Sequence, residues 1–213
     1  MKFKATDIIN LRSGPSIASP KIGSIPAGTV VESDEYVWKA VTLPNDTKGF
    51  CAASYLEPLK SKWFAPIRAD KFKVFQKFLQ PDADTYPKTG HHPGVDYSTK
   101  QENGVPLYFC ADGEVIESGS HAQFGNYFFF YVPEVDRTFV YFHLRDAAPI
   151  KGQYKGGAQC GITGTTGKST GIHLHLECMK GRKTSANRSS LYISKEALMA
   201  AAEDADAFIR SRL

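Results

Sequence analysis

Two histidines lie two residues apart in a segment whose polarity alternates as in a β-strand. In residues 169–177, STGIHLHLE, one face is apolar and the other carries His173, His175 and Glu177. Successive side chains of a strand point to opposite faces, so the two imidazoles share one face. Because a catalytic zinc uses three protein ligands, often nitrogen, this pair is the start of a zinc site. A solvated strand edge with two incidental histidines explains the pair alone equally well.

A second group of candidate ligands lies in residues 90–97, GHHPGVDY. His92 and Asp96 are four positions apart and share a face of an extended segment, which His91 and Asp96 do not. Gly94 lies between them and allows the backbone to bend close to an ion. A carboxylate together with imidazoles suits zinc. Alone, the segment is also explained as a capped turn in which Asp96 accepts backbone hydrogen bonds, and His91 is expected on a loop or rim.

Three further side chains are weaker candidates. His143, in VYFHLRD, falls near the end of an aromatic strand and is expected on the same face as Tyr141 and Phe139. A lone histidine in a strand is more often a hydrogen-bonded core residue than a catalyst. His121, in ESGSHAQFGN, lies in a predicted loop and receives no role. Glu177 has two open interpretations, a carboxylate that orients a metal ligand and a solvated carboxylate at the end of a strand.

The elements that have to position these side chains are mainly short strands. From about residue 70 to 180, VPLYFCADGEVIESG reads as two strands around a tight turn at Asp112 and Gly113. NYFFFYV and TFVYFHL, joined by PEVDR, read as a hairpin with a heavily aromatic core. This region is therefore predicted to be a mostly antiparallel β domain.

The C-terminal residues have a different period. In residues 194–213 apolar side chains recur at helical spacing, Ser194 is placed to cap, and two arginines lie in the last turn. The apolar positions are Leu198, Ala201, Ala202, Ala205, Phe208 and Ile209. They predict one amphipathic helix packed on the β body. Because its apolar face is mostly alanine, membrane binding is not expected.

The N-terminal residues are also predicted to be short strands, broken by the turn clusters SGPS, PAG and PNDTKG. Their motifs, INLRSGPS, KIGSIPAGTVV, WKAV and GFCAASYLEPL, resemble in order and spacing those of a bacterial SH3 domain. The resemblance implies a small SH3-like barrel over residues 1–58, and such domains often tether enzymes to cell walls. A packing or spacer module without a ligand is the alternative.

The histidine motifs, taken in order, resemble those of an enzyme family. HHPGVD contains His-x-Gly-x-Asp, FHL follows, and GITGTTGKSTGIHLHLE ends the series, while NGVPLYFCADGEV and FGNY match further segments. They resemble the zinc metallopeptidases of the lysostaphin and LytM type, peptidase family M23, which cut peptide bonds in peptidoglycan. The resemblance covers roughly residues 75 to 180 and does not include the C-terminal helix. Leu176 departs from it, since an aromatic residue is usual there.

This resemblance implies roles for five residues. His92, Asp96 and His175 resemble the three zinc ligands, which would hold one Zn²⁺ per chain. His143 and His173 resemble the two non-ligand histidines beside the metal, and which of them is the general base stays open. The implied substrate is a stem peptide or cross-bridge of bacterial peptidoglycan. Two alternatives are a catalytically idle scaffold or activator of other wall hydrolases, and a zinc peptidase that acts on non-wall proteins.

Composition argues against other classes of protein. The net charge is +4 without a dense Lys/Arg tract, so no nucleic-acid partner is expected. No apolar run approaches the ~18 residues of a membrane span. The four cysteines form no CxxC pair, which argues against a zinc site made of thiolates and against a redox motif. We expect them to be buried residues in strands, and a disulfide between two of them stays open as an alternative. GTTGKSTG lacks the GxxxxGK[ST] arrangement and is expected to shape the wall of a substrate groove.

The expected protein is all-β: a small SH3-like barrel, then a mostly antiparallel β metallopeptidase domain with a groove, and a C-terminal amphipathic helix. The predicted boundaries are 1–58 for the barrel, 59–69 for a linker, 70–193 for the peptidase domain and 194–213 for the helix. A monomer is expected. The implied location is periplasmic, secreted or associated with the cell wall; since no apolar leader is present, export would follow removal of a signal or a phage-type release.

Overall fold

The chain divides into two compact units, residues 1–60 and 61–213. The computed structural model describes residues 2–32, 38–58, 62–68, 70, 72–99 and 104–213. Parts of three predicted features lie outside the described residues. They are positions 33–37 of the SH3-like region, positions 59–61 and 69 of the predicted linker, and position 103 of the motif NGVPLYFCADGEV.

The first unit is a single antiparallel sheet. Its strands are β1 (Lys2–Ala5), β2 (Ile9–Arg12), β3 (Lys21–Ile25), β4 (Val30–Glu32), β5 (Trp38–Thr42), β6 (Lys48–Ala52) and β7 (Leu56–Pro58), with a 3₁₀ turn at Ala53–Tyr55 between the last two. They are ordered β3-β2-β6-β5-β4-β1-β7. Alternating apolar side chains such as Ile9, Leu11 and Val41 fill its core, as expected for strands with one buried face.

The second unit is organised around a larger antiparallel sheet. Its strands are β8 (Lys73–Gln76), β9 (Val95–Ser98), β10 (Pro106–Tyr108), β11 (Gly113–His121), β12 (Gly125–Val132), β13 (Arg137–Leu144), β14 (Gly152–Tyr154), β15 (Gln159–Ile162), β16 (His173–Lys180) and β17 (Ala202–Glu203). The main sheet is ordered β14-β11-β12-β13-β16-β9-β8, β17 pairs with β16, and β10 pairs with β15 in a separate two-stranded sheet. The prediction of an all-β fold is confirmed.

The aromatic hairpin of β12 and β13 lies in the middle of this sheet and is covered on both faces. One face carries Phe128, Phe130, Phe139 and Tyr141, which pack with Trp63, Ile67 and Phe109. The other carries Phe129, Val140 and Phe142, which pack with Met179, Tyr192 and Leu198. Because both faces are buried, the two strands are nearly continuous apolar runs. Trp63 and Ile67, from the segment predicted as a linker, belong to the first of these cores.

The C-terminal region contains three short helices, α1 (Ser185–Leu191), α2 (Lys195–Ala201) and α3 (Ala205–Arg210). The region predicted as one helix is thus two helices separated by β17, which pairs with Cys178 and Met179 of β16. Ser194 caps α2 as predicted, and Asp204 restarts the helix by accepting from the backbone N–H of Ala207. The predicted apolar positions do face the core, so the pattern identified the buried side chains but not the break.

All four cysteines are buried free thiols. Their burial agrees with the expectation from sequence, and the disulfide that was left open does not form. Among the described residues, no helix is both long enough and apolar enough to cross a lipid bilayer.

Candidate metal centre

Three predicted ligands meet where β9 and β16 pair. Asp96 on β9 lies directly opposite His175 on β16 in the antiparallel register, and His92 precedes β9 by a short bend. His175 Nδ1 lies 2.8 Å from Asp96 Oδ1, His92 Nε2 lies 3.1 Å from His175 Nδ1, and His92 Nε2 lies 3.3 Å from Asp96 Oδ1. The structure therefore brings together two ring nitrogens and one carboxylate oxygen.

These separations suit a single small cation. Donors at about 2.0–2.1 Å from a tetrahedral zinc are about 3.3 Å apart, and the three observed separations are 2.8, 3.1 and 3.3 Å. All three side chains are buried, so few waters compete for the same donors. Within the described residues, this is the only group of three or more His, Cys, Asp or Glu side chains with ligand spacing.

Gly94 is required for the approach of the two strands. A Cβ at this position would lie 2.5 Å from the carbonyl oxygen of Leu176 and 3.0 Å from His175 Nε2. The sequence suggested that this glycine allows the backbone to approach an ion. In the structure it instead allows the bend before β9 to pack on the backbone of β16, and this contact holds His92 beside His175.

The charges at the site favour a cation. Burial raises the pKa of the Asp96 carboxyl, but the His175 and His92 rings lower it well below its usual range. Burial likewise lowers the pKa of His175, but the Asp96 and Glu177 carboxylates raise it to about 9. Without a metal, His175 therefore keeps a positive charge between two carboxylates. A metal ligand has to be deprotonated, so a bound cation would replace that proton.

His143 and His173 lie beside the three candidate ligands, with their ring centroids 4.8 Å apart. His143 Nδ1 lies 2.8 Å from the carbonyl oxygen of Thr166, and His173 Nδ1 lies 2.8 Å from that of Gly171. Since a carbonyl oxygen only accepts, each Nδ1 carries the hydrogen and each Nε2 keeps a lone pair. Burial is the main reason that both pKa values are lowered, that of His143 to about 4. Both rings are therefore neutral at neutral pH.

The prediction that His143 shares a face with Tyr141 and Phe139 is wrong. Regular alternation would place it there, but the pairing of β12 and β13 shifts register between Asn126 and Phe128, and His143 has a left-handed backbone with φ of 62°. A bulge of this kind re-aims a side chain. It turns the His143 ring toward His173 on the opposite face of the sheet, and a strained non-glycine residue is a frequent feature of functional sites.

Glu177 is fully buried, which excludes the solvated alternative. Its Oε1 lies 2.9 Å from His175 Nε2, and both carboxylate oxygens accept from the guanidinium of Arg188 on α1 at 2.6–3.0 Å. The Tyr192 hydroxyl donates to Oε2 at 3.2 Å. Burial raises the pKa of Glu177, but Arg188 lowers it to about 2, so the carboxylate stays ionised. Sequence reasoning missed Arg188 and Tyr192, because no motif marks either residue.

A cavity of about 640 Å³ opens beside the candidate ligands. Asp96, His143, His173 and His175 line it together with Gly167–Gly171 residues of the GTTGKSTG segment, as predicted for a groove wall. Tyr86 is a further lining residue that the sequence did not indicate; its ring packs 5.5 Å from that of His92. Burial, Asp96 and Glu177 raise the pKa of Tyr86, so its hydroxyl remains a hydrogen-bond donor.

The two remaining histidines lie away from this cavity. His91 Nδ1 lies 2.9 Å from the carbonyl oxygen of Thr89, and His91 does not line the cavity. His121 ends β11, packs its ring on Phe124 at 4.6 Å, and interacts through Nδ1 with the backbone N–H of Gln123. Neither residue belongs to the three-donor group or lines the cavity.

Comparison with known proteins agrees with this geometry. The Peptidase family M23 model matches residues 90–187, and the Bacterial SH3 domain model matches residues 7–57.

Peptidoglycan DD-endopeptidase ShyB of Vibrio cholerae is 36% identical over 115 residues, which are 52% of this chain and 26% of that protein. DD-carboxypeptidase/endopeptidase Mpg of Neisseria meningitidis is 36% identical over 86 residues, 40% of this chain and 19% of that protein. The chain thus spans between a fifth and a third of such relatives.

Solved structures share the fold. The catalytic domain of lysostaphin from Staphylococcus simulans superposes with a TM-score of 0.53 at 22% identity, covering 66% of this chain and 94% of that one. A zinc-containing peptidase from Vibrio cholerae superposes with a TM-score of 0.50 at 23% identity, covering 80% of this chain and 52% of that one. The five predicted site residues all lie inside the matched range 90–187. This chain therefore contains a bacterial SH3 domain followed by a domain of peptidase family M23.

Proposed function

We propose that this chain is a zinc-dependent endopeptidase that hydrolyses peptide bonds in bacterial peptidoglycan. One observation carries the proposal: three buried donor atoms of His92, Asp96 and His175 lie 2.8–3.3 Å from one another at the wall of an open cavity. Two neutral histidines flank them. This is the arrangement that metal-assisted hydrolysis needs, since a cation, a proton acceptor and space for substrate adjoin one another.

His92, Asp96 and His175 would hold the zinc ion. Two imidazole nitrogens and a carboxylate oxygen form a donor set that zinc accepts in catalytic sites. The chemistry that zinc supplies when bound is to polarise the scissile carbonyl and to lower the pKa of water toward ~7. Glu177 accepts a hydrogen bond from Nε2 of His175, which leaves Nδ1 of that ring for the cation.

His143 and His173 would handle the proton. Each ring has its Nδ1 hydrogen bonded to a backbone carbonyl, so each presents Nε2 as the acceptor. One of them would take a proton from the attacking water and pass it to the leaving amine nitrogen, and the other would orient the water by accepting a hydrogen bond from it. The Tyr86 hydroxyl offers one more donor to the same cavity.

Peptidoglycan is the proposed substrate because the relatives point to it. ShyB and ShyA of Vibrio cholerae are named peptidoglycan DD-endopeptidases, and ShyA is 34% identical over 138 residues, 63% of this chain and 29% of that protein. The bond that such DD-endopeptidases cut is therefore the first bond to test. The enzyme would act where peptidoglycan lies, as a periplasmic, secreted or wall-associated protein, and the SH3 domain would deliver it there.

The test is hydrolysis of purified peptidoglycan by zinc-loaded protein. Mass spectrometry of released fragments identifies the bond, and labelling of new amino termini measures turnover. We expect release from peptidoglycan and little release from casein. The reverse preference would favour a peptidase of non-wall proteins, and stoichiometric zinc without any hydrolysis would favour an idle scaffold or an activator of other wall hydrolases.

A further inference from the structure

The side of the His175 ring that faces away from the candidate cation is held by a buried carboxylate. His175 Nε2 lies 2.9 Å from Oε1 of Glu177, whose exposed fraction is 0%. An ionised carboxylate only accepts hydrogen bonds, so Nε2 has to donate. That contact fixes the ring so that Nδ1 points toward His92 and Asp96. The orientation of this ligand therefore depends on what holds Glu177.

Glu177 is held by the C-terminal region. Arg188 of α1 donates through Nε to both of its oxygens, at 3.0 and 2.9 Å, and through Nη2 to Oε1 at 2.6 Å. Tyr192, which follows α1, donates to Oε2 at 3.2 Å. Arg188 is itself buried, with 9% of its surface exposed. Without the guanidinium, the buried Glu177 carboxylate would lose three of the hydrogen bonds that fix its oxygens, and it would be free to turn.

The same guanidinium also supports the flat face of the ligand. Arg188 Cζ lies over the Phe142 ring at 5.3 Å, over Phe124 at 5.1 Å and over Tyr192 at 4.8 Å. The Phe142 ring stacks on the His175 imidazole at 5.4 Å with an interplanar angle of 9°. Arg188 therefore reaches His175 by two routes, a polar one through Glu177 and an aromatic one through Phe142.

We propose that Arg188 is a positioning residue for His175, and that through it α1 sets the affinity of the candidate centre for zinc. The proposal rests on the proposed zinc site. Its physical basis is that a ring already held in one orientation and one tautomer loses less freedom when it binds the ion. Partners that orient a metal ligand typically change metal affinity by about 10–100-fold when they are removed.

The experiment compares Arg188→Met and Arg188→Lys with wild type. Zn²⁺ dissociation constants are measured by competition with a chromophoric chelator, and the coordination environment is followed by the visible absorption of Co²⁺-loaded protein. We expect Arg188→Met to weaken Zn²⁺ binding by about 10–100-fold and to alter the Co²⁺ spectrum. Arg188→Lys keeps the charge but loses the two-pronged contact, so it should recover part of the affinity.

Arg182→Met is the matched control. Arg182 pairs with Glu114 at 2.9 Å and lies over the Tyr131 ring at 5.6 Å, the same two kinds of contact, but its side chain is half exposed and touches no site residue. It should bind Zn²⁺ like wild type. The thermal unfolding of each metal-free variant, measured in parallel, separates a general loss of stability from a loss of affinity.

A double variant tests the route. If Arg188 acts through Glu177, the combined loss of affinity in Glu177→Gln/Arg188→Met should be smaller than the product of the two single losses. This variant also carries no unpaired buried charge, so it can be measured even where Arg188→Met does not fold. In that case it should bind Zn²⁺ about as tightly as Glu177→Gln alone, and a further large loss would overturn the route through Glu177. If the loss of Zn²⁺ affinity in the double variant equals the product of the two single losses, the route through Glu177 is overturned. Wild-type Zn²⁺ affinity in Arg188→Met would overturn the proposal. Wild-type protein that fails to bind zinc at all would instead contradict the proposed function.

Discussion

At the scale of single residues, the site depends on which ring nitrogen of each histidine keeps its lone pair. Backbone carbonyls take the Nδ1 hydrogens of His143 and His173, while a carboxylate takes the Nε2 hydrogen of His175. His175 therefore offers Nδ1 to a cation, and the other two rings offer Nε2 to a proton. Neighbouring groups would thus decide which ring can act as a ligand and which as a proton acceptor, since the three side chains are chemically the same.

Removing His175 should remove the metal. Because its Nδ1 lies within 3.1 Å of both other candidate donors, His175→Ala leaves only two ligands, and zinc and activity should be lost together. Zinc stoichiometry by atomic absorption and turnover of peptidoglycan fragments are the measurements. His121→Ala, at a ring that does not line the cavity, should keep both. Stoichiometric zinc in His175→Ala would show that the ligands are assigned wrongly.

Removing His173 should separate binding from turnover. Its Nε2 lies 3.9 Å from Asp96 Oδ1, close to the candidate cation but outside the three-donor group. We expect His173→Ala to keep its zinc and to lose ~10²-fold or more in kcat, the usual contribution of a proton-transfer group. Zinc analysis measures whether the variant keeps its metal, and steady-state kinetics measures its loss in kcat. If this variant lost the metal instead, the roles of His173 and His175 would have to be exchanged.

At the scale of elements, the centre is a product of strand pairing. β9 and β16 are far apart in sequence, yet their antiparallel register sets Asp96 opposite His175, and β13 on the other side of β16 brings in His143. Side chains opposite each other in an antiparallel pair lie close enough to interact directly. A shift of one residue in this register would turn the ligands to the other face of the sheet.

The packing of the bend before β9 on β16 can be tested at Gly94. A methyl group there would lie 2.5 Å from the carbonyl oxygen of Leu176, so Gly94→Ala has to push the strands apart. We expect a loss of about 1–3 kcal/mol in the free energy of unfolding, as for other overpacked sites, and weaker zinc binding. Gly171→Ala is the control for stability, since nothing lies within 4 Å of its added Cβ. If Gly94→Ala had the same free energy of unfolding in urea as wild type, the added methyl group would be accommodated there without destabilising the protein.

At the scale of the whole molecule, the chain has two units, each with its own hydrophobic core. Every residue of the candidate centre lies in residues 61–213. The α1 and α2 helices pack on the sheet face that also carries His175 and Glu177, whereas α3 packs on the opposite face. The C-terminal region is thus part of the core of the second unit. Metal binding and stability of this unit should therefore be linked, while the SH3 unit should contribute to where the enzyme acts.

A fragment of residues 61–213 should keep its zinc stoichiometry and its turnover of small peptidoglycan fragments, because the site lies wholly within it. Its activity on intact cell walls should fall, since the SH3 unit would no longer concentrate the enzyme on its polymer. Rates on both substrates, measured for the fragment and the full chain, test this. Equal rates on intact walls would favour the spacer interpretation of the SH3 unit.

Zinc should stabilise the second unit by mass action. A ligand that binds only the folded state adds about 2.7 kcal/mol at one hundred times its dissociation constant, so a chelator should lower the unfolding temperature of the full chain. Calorimetry should show this shift in the transition of the larger unit and none in that of the SH3 unit. A chelator-sensitive SH3 transition would contradict the placement of the metal.

The sequence by itself determined the local features of this protein. Periodicity is a property of neighbouring residues. Strand periodicity placed His173 with His175 on one face and His92 with Asp96 on another, and helical periodicity identified the buried apolar positions of the C-terminal region. Motif order then indicated both domains. Periodicity cannot predict where a strand or helix departs from regular geometry, and it cannot predict which distant segments contact each other.

Only the tertiary structure decided those contacts. The bulge that turns His143 to the site arises where β12 and β13 pair out of step, and no residue in VYFHLRD signals it. The break between α2 and α3 arises because Ala202 and Glu203 gain a strand partner in β16, which outweighs their helical pattern. Arg188 could not be assigned to Glu177 from spacing, since their ion pair exists only because the chain reverses after β16. Each of these features depends on pairing energy between distant segments, which local sequence does not encode.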